Sequence, residues 1–284
     1  MENSGSELAR NDFTYIFRRK IQVVISKLSS KLGLRKFDPA DFKLEHVYVS
    51  IPQLPIPFRN YRILQISDIH YGQWISADRL EGVVDLINKN NPDLVAITGD
   101  FVSYLLDDSI DEMTEYLKEL KPKDATVAVL GNHDHWAGAE KVRTILKKSN
   151  IYDICNNIYT VQRGSSKLIV AGVDSAMVKK DRLDVVLRKM HPDGPAVLLA
   201  HEPDFATNSA ATKRFSLQLS GHSHGGQFVV PRLGTPFRGH LFRKYPVGKY
   251  KVGDMIQYTN RGLGTNSYWL RINCPPEITV ITLI

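Results

Sequence analysis

The chain has 284 residues, 43% hydrophobic and 24% charged, the balance of an ordinary globular protein. Its formal net charge of +7 favours anionic partners such as phosphates, nucleic acid or acidic lipid surfaces. Only two cysteines are present, Cys155 and Cys274, which argues against a disulfide scaffold and a thiolate metal site and leaves metal chemistry to the nine histidines and the carboxylates.

Residues 1–12 are polar. From there Phe13, Phe17, Ile21, Val24, Leu28 and Leu32 recur every three or four residues, the spacing of one helix face. Arg18, Arg19, Lys20, Lys27 and Lys31 fall mostly off that stripe. Residues 1–36 therefore read as a basic amphipathic segment that can lie on an anionic membrane or pack on the domain that follows. The pair Arg18-Arg19 suggests a twin-arginine signal, but Ser26, Lys27, Ser29, Ser30 and Lys31 interrupt the apolar core such a signal needs. There is no apolar run of the roughly 18 residues that a membrane-spanning helix requires. The expected location is cytoplasmic, peripheral at the inner membrane face.

Residues 37–284 read as one domain. Glu45–Ile51 is an expected strand, followed by a proline-rich turn. Strands are then predicted at Arg62–Ser67, Leu94–Thr98, Thr126–Leu130, Ala196–Ala200, Phe215–Leu219, Met255–Thr259 and Glu277–Leu283. Tyr159–Gln162 and Lys167–Val173 flank a turn and predict a hairpin. Helices are predicted from a Ser76 cap through Asn88, and over Asp111–Leu120, Glu140–Lys148 and Arg182–Met190. Residues 227–251 read as a loop. Strands alternating with helices indicate a layered α/β domain.

Five of these strands end in polar, metal-competent residues: Asp68-Ile69-His70, Gly99-Asp100, Gly131-Asn132-His133-Asp134, His201-Glu202 and Gly221-His222-Ser223-His224. In open α/β sheets the carboxyl edge of the strands is where ligands bind. Imidazole, carboxylate and amide oxygen together suit Mn, Fe or Zn. Asp68 and His70, and again His222 and His224, sit two apart, so in an extended segment they point the same way. Taken singly, the first four motifs are more simply turns, strand-end polar pairs or a hydrogen-bonded histidine, whereas the run Ser220-Gly221-His222-Ser223-His224-Gly225-Gly226 is unusual in itself. Five of them in this order, each after an apolar strand, make a metal site the better reading.

The ordered set resembles the calcineurin-like metallophosphoesterase superfamily over about residues 60–284. That resemblance implies a four-layer α-β-β-α sandwich with two mixed β-sheets flanked by helices. It implies two divalent metal ions, one held by Asp68, His70, Asp100 and His224, the other by Asp100, Asn132, His201 and His222. It also implies that His133 is the proton donor or transition-state stabiliser, aided by Asn132, with Asp134 orienting His133. Thr259-Asn260-Arg261-Gly262-Leu263-Gly264-Thr265 and the segment after His224 resemble a bacterial membrane-associated branch. That branch includes YkuE- and YaeI-type phosphodiesterases and a UDP-2,3-diacylglucosamine pyrophosphatase of lipid A synthesis.

The expected substrate is a phosphate ester, with a phosphodiester or pyrophosphate bond in a lipid- or nucleotide-linked molecule. Arg261 is a candidate phosphate contact. Residues 227–251 carry Arg232, Arg238, Arg243, Lys244, Lys249 and Lys251, no acidic residue, and five interleaved aromatics. Such a segment can grip a diphosphate, stack a base or cover a lipid chain. Two alternatives remain: a nuclease or cyclic-nucleotide phosphodiesterase, though nucleic acid is not the expected partner, and a non-catalytic, metal-stabilised scaffold.

Overall fold

Alternation with period two, read along single strands, explains how three apolar layers arise from one chain. In a computed structural model that describes residues 36–103, 107–191, 194–236, 239–265 and 270–284, twelve strands form two six-stranded sheets. The expectations for residues 13–34, and for Phe237 and Arg238, lie outside the described residues.

The first sheet runs β1 (Lys43–Val49), β12 (Glu277–Leu283), β2 (Arg62–Ile66), β3 (Leu94–Thr98), β4 (Ala125–Val129) and β5 (Tyr152–Asp153). All neighbours pair parallel except β12 with β2. The second runs β10 (Gly248–Val252), β11 (Met255–Thr259), β9 (Leu217–Ser220), β8 (Ala196–Leu199), β7 (Ser166–Gly172) and β6 (Asn157–Arg163). Its two outer pairs are antiparallel and its inner pairs parallel.

Ile63, Leu94, Ala96, Val127 and Val129 face the second sheet and pack with Leu168, Val170, Val197, Leu199, Leu217 and Leu219. Their chain neighbours Leu64, Val95, Ile97 and Ala128 face the other way, onto helices α1 (Ala77–Lys89), α2 (Asp107–Lys118) and α3 (Asn132–Lys148). Ile169, Ala171, Ala196 and Leu198 form the outer face of the second sheet. It packs on α4 (Leu183–Lys189) and α5 (Ala206–Ala211) through Val186 and Ala206. The four-layer α/β sandwich is thus the product of strands apolar on both faces, the pattern expected of buried parallel sheets.

Helix α1 begins where its sequence signals it. The Ser76 hydroxyl accepts the Arg79 N–H, and Leu80, Val83, Val84 and Ile87 are buried along one stripe. Helix α3 starts at Asn132, eight residues before the periodicity suggested. Gly138 (φ 125°) breaks the helix and resets its register, so no single stripe spans it. Residues 227–251 are not all loop, because β10 occupies their end as an edge strand with Lys249 and Lys251 exposed. Among the described residues, no helix is long and apolar enough to cross a membrane.

Candidate active site

The strands that carry the five motifs lie centrally: β2, β3 and β4 side by side in one sheet, β8 and β9 side by side in the other. Their carboxyl ends therefore deliver all five turns to one edge of the sandwich. Polar bonds across the interlayer fix the two edges together. Gln65 Nε2 donates to the Ser220 carbonyl (2.9 Å), and His201 Nδ1 donates to the Thr98 carbonyl (2.7 Å).

The turns are tighter than extended geometry allows. Asp68, His70, Asp100, His222 and His224 all have positive φ, between 45° and 67°. The expectation that Asp68 and His70 project alike from extended backbone is therefore corrected. A left-handed residue costs of order 1–3 kcal/mol outside glycine, and such strain persists where the surroundings over-determine it. Close approach requires glycine beside these residues. A Cβ on Gly221 would collide with the Ser67 hydroxyl and the Asp68 carboxylate, and one on Gly131 with the Asp100 carboxylate.

Two donor groups result. Asp68, His70 and His224 place one ligand atom each within 4.8 Å of one another, and so do Asp100, His201 and His222. Asp100 reaches both groups, because its Oδ2 lies 3.2 Å from His201 Nε2 and 3.7 Å from His70 Nε2. Its Oδ1 is held by the His133 N–H at 2.9 Å. Asp68 accepts the His222 N–H and lies 3.3 Å from His224 Nε2.

Hydrogen bonds on the outer nitrogens orient the rings. His70 Nδ1 meets the Ser103 hydroxyl at 2.5 Å, and His222 Nε2 lies 3.2 Å from the His240 carbonyl. The inner nitrogens face one another at 3.2 Å, His70 Nε2 against His224 Nε2 and His222 Nδ1 against His201 Nε2. Burial holds His70, His222 and His224 below the ordinary imidazole value, with the Arg271 charge adding to this at His224. Burial presses on His201 too, but the Asp100 carboxylate outweighs it and holds that ring well above its ordinary value.

This arrangement fits divalent cations. The facing lone pairs of His70 and His224 repel unless something positive lies between them, and neutral imidazole, the form burial favours at His70, His222 and His224, is the metal-binding one. The Asn132 amide oxygen, on the first turn of α3, is buried without a hydrogen-bond partner, an orphan that a cation would satisfy.

His133 stands beside the clusters rather than in them. Its ring lies edge-on to His70 at 4.9 Å and against Trp136 at 4.8 Å. Asp134 does not orient it. The Asp134 carboxylate accepts backbone N–H groups of Asp100, Phe101, Val102 and Gly131, so it clamps two ligand-bearing turns to each other. Burial and the nearby Asp100 charge push that carboxyl up to about 8, with the backbone donors pulling back.

Arg261 is not brought into the ligand set. Its guanidinium pairs with Glu277 at 2.9 Å and Glu45 at 3.3 Å. Glu277 is buried, so removing its partner leaves a poorly compensated charge. Arg261→Ala is expected to cost about 2–3 kcal/mol in chemical denaturation, short of a fully buried pair because Arg261 is partly exposed, and to leave KM unchanged. A raised KM at unchanged stability would restore it as a phosphate contact.

The residue that sequence reasoning missed is Arg271. It donates to the carbonyls of Arg261 (2.9 Å), Gly262 (3.2 Å) and Gly264, and its Nη1 lies 3.5 Å from the His224 carbonyl. Nothing in the stretch Leu270-Arg271-Ile272-Asn273 signals this, because most of its partners are backbone oxygens, which carry no sequence signature.

A family model described as calcineurin-like phosphoesterase matches residues 61–226. The chain is 31% identical to the metallophosphoesterase YkuE of Bacillus subtilis, over 81% of each chain. It is 27% identical to the phosphodiesterase YaeI of Escherichia coli, over 94% of this chain and 98% of that one. A Danio rerio transmembrane protein with a metallophosphoesterase domain is 30% identical, over 85% of this chain and 57% of its own.

Proposed function

The chain belongs to the calcineurin-like phosphoesterase family, and from that premise we propose that it is a dinuclear-metal hydrolase of a phosphodiester or pyrophosphate bond. The observation that supports this best is the pair of donor groups sharing Asp100. Asp68, His70 and His224 hold one cation. Asn132, His201 and His222 hold the other, and Asp100 joins both sets. The nitrogen and oxygen donors suit Mn, Zn or Fe. When bound, the pair supplies Lewis-acid charge to the phosphoryl group and makes water a competent nucleophile near neutral pH.

The chain's own groups do the rest. His133, packed between His70 and Trp136, gives a proton to the leaving oxygen. Asp134 keeps the Asp100 and Asn132 turns in register through its four backbone bonds. Around the mouth, Phe242 lies edge-on to His222 at 5.5 Å, and Arg243 and Lys244 are exposed beside it. A cationic, aromatic rim supports a lipid- or nucleotide-linked phosphate ester such as UDP-2,3-diacylglucosamine. The basic segment 1–36 would keep the enzyme at the inner membrane face.

Hydrolysis of bis-p-nitrophenyl phosphate and of p-nitrophenyl phosphate, each with Mn²⁺ and with chelator, tests the reaction class. The diester is expected to be cleaved faster, only with metal, and UDP-2,3-diacylglucosamine to release UMP. Diester cleavage without UMP release would remove that substrate and keep the reaction. Absence of metal-dependent cleavage of all three would refute the hydrolase.

A further inference from the structure

Two loops beside the donor groups carry apolar side chains that neither the core nor the chemistry uses. The first is a tight turn in which the Val230 and Gly234 backbones exchange N–H···O bonds of 2.9 Å. Leu233 at its tip is 82% exposed and Val230 40%. The second loop lies alongside. Val229 N–H donates to the Ile272 carbonyl (2.9 Å) and Gln227 Nε2 to the Leu270 carbonyl (3.1 Å). Leu270 is 51% exposed and Ile272 44%. One exposed leucine is ordinary, but four large apolar side chains on two hydrogen-bonded loops form a patch.

The patch is tied to the site at both ends. Gln227 follows His224 by three residues, and Arg271, between Leu270 and Ile272, lies against the His224 carbonyl. It is also cationic. Arg232 is exposed within the same turn, Arg243 and Lys244 are exposed farther along, and residues 227–251 contain no acidic residue.

We infer that these two loops dock the site onto an anionic lipid surface. Val230, Leu233, Leu270 and Ile272 enter the boundary between headgroups and acyl chains, and Arg232 pairs with lipid phosphates. A second copy of the chain is a poorer occupant. A two-fold contact would set the same cations facing each other, whereas an anionic bilayer neutralises them. Docking in this orientation puts the donor groups at the headgroup layer. The consequence that the substrate lies there rests on the hydrolase reading above; the docking does not.

The full chain carrying Leu233→Trp is mixed with vesicles of equal parts phosphatidylglycerol and phosphatidylcholine, with and without brominated acyl chains. The expected result is a blue-shifted emission and bromine quenching beyond that of the unsubstituted chain. Leu233→Ser with Leu270→Ser should weaken vesicle binding at least about tenfold and leave hydrolysis of bis-p-nitrophenyl phosphate unchanged. No vesicle binding, or binding without extra quenching at position 233, overturns the docking. So does a dimer that the double substitution dissolves with no vesicle contact. Loss of diester hydrolysis in the unsubstituted chain would refute the hydrolase and leave the quenching result standing.

Discussion

Asp100→Ala is expected to leave the protein unable to retain either metal and to lower diester hydrolysis by at least about three orders of magnitude. One Asp100 oxygen approaches ring nitrogens of both donor groups, at 3.2 Å from His201 Nε2 and 3.7 Å from His70 Nε2. Its other oxygen anchors the His133 backbone, so alanine loosens the turn that carries Asn132 as well. Burial presses this carboxyl up, but the His201 ring beside it outweighs that and holds it well below the ordinary range, so it is the anionic centre of the site. Metal content after dialysis, read beside the turnover, decides the matter. Asp100→Asn keeps an oxygen for the His133 N–H but loses the charge, and should fail as the alanine does. A variant with full metal content and low activity would place the role of Asp100 elsewhere.

His133→Ala should behave differently. Turnover falls by about 10²–10⁴-fold, the usual contribution of a positioned general acid, while metal content is unchanged. Alanine retains the backbone N–H that holds Asp100, so the donor groups keep their geometry. The loss should also depend on the leaving group. p-Nitrophenolate needs little protonation and an alkoxide needs much, so an alkyl diester should suffer more than the nitrophenyl diester. Equal losses for the two would mean that His133 stabilises charge without donating a proton.

The donor residues were legible because each follows an apolar strand directly, and parallel strands must bring their carboxyl ends to one edge. Their backbone was not legible. Asp68, His70 and His224 are left-handed with no glycine at those positions to mark it. Asp134 sits next to His133 in sequence, which suggests a side-chain partnership. Its helix position instead turns the carboxylate back to the Gly131 N–H and across to the Asp100 turn. Arg261 looked like a phosphate contact because it lies in a glycine-rich turn near the site. Its partners Glu45 and Glu277 come from β1 and β12, and only the sheet order brings them to it. The β10 strand has the alternation of exposed Lys249 and Lys251 with part-buried Tyr250 and Val252, but four of its five residues are Gly, Lys or Tyr, and the basic run masked the period.

The most direct test is a titration of Mn²⁺ into chelator-treated protein, with bound metal per chain and bis-p-nitrophenyl phosphate turnover measured on the same samples. Two donor groups joined by Asp100 predict no turnover without metal and full turnover only as the second equivalent binds. Full turnover in chelator, or at a single equivalent, would contradict a dinuclear site.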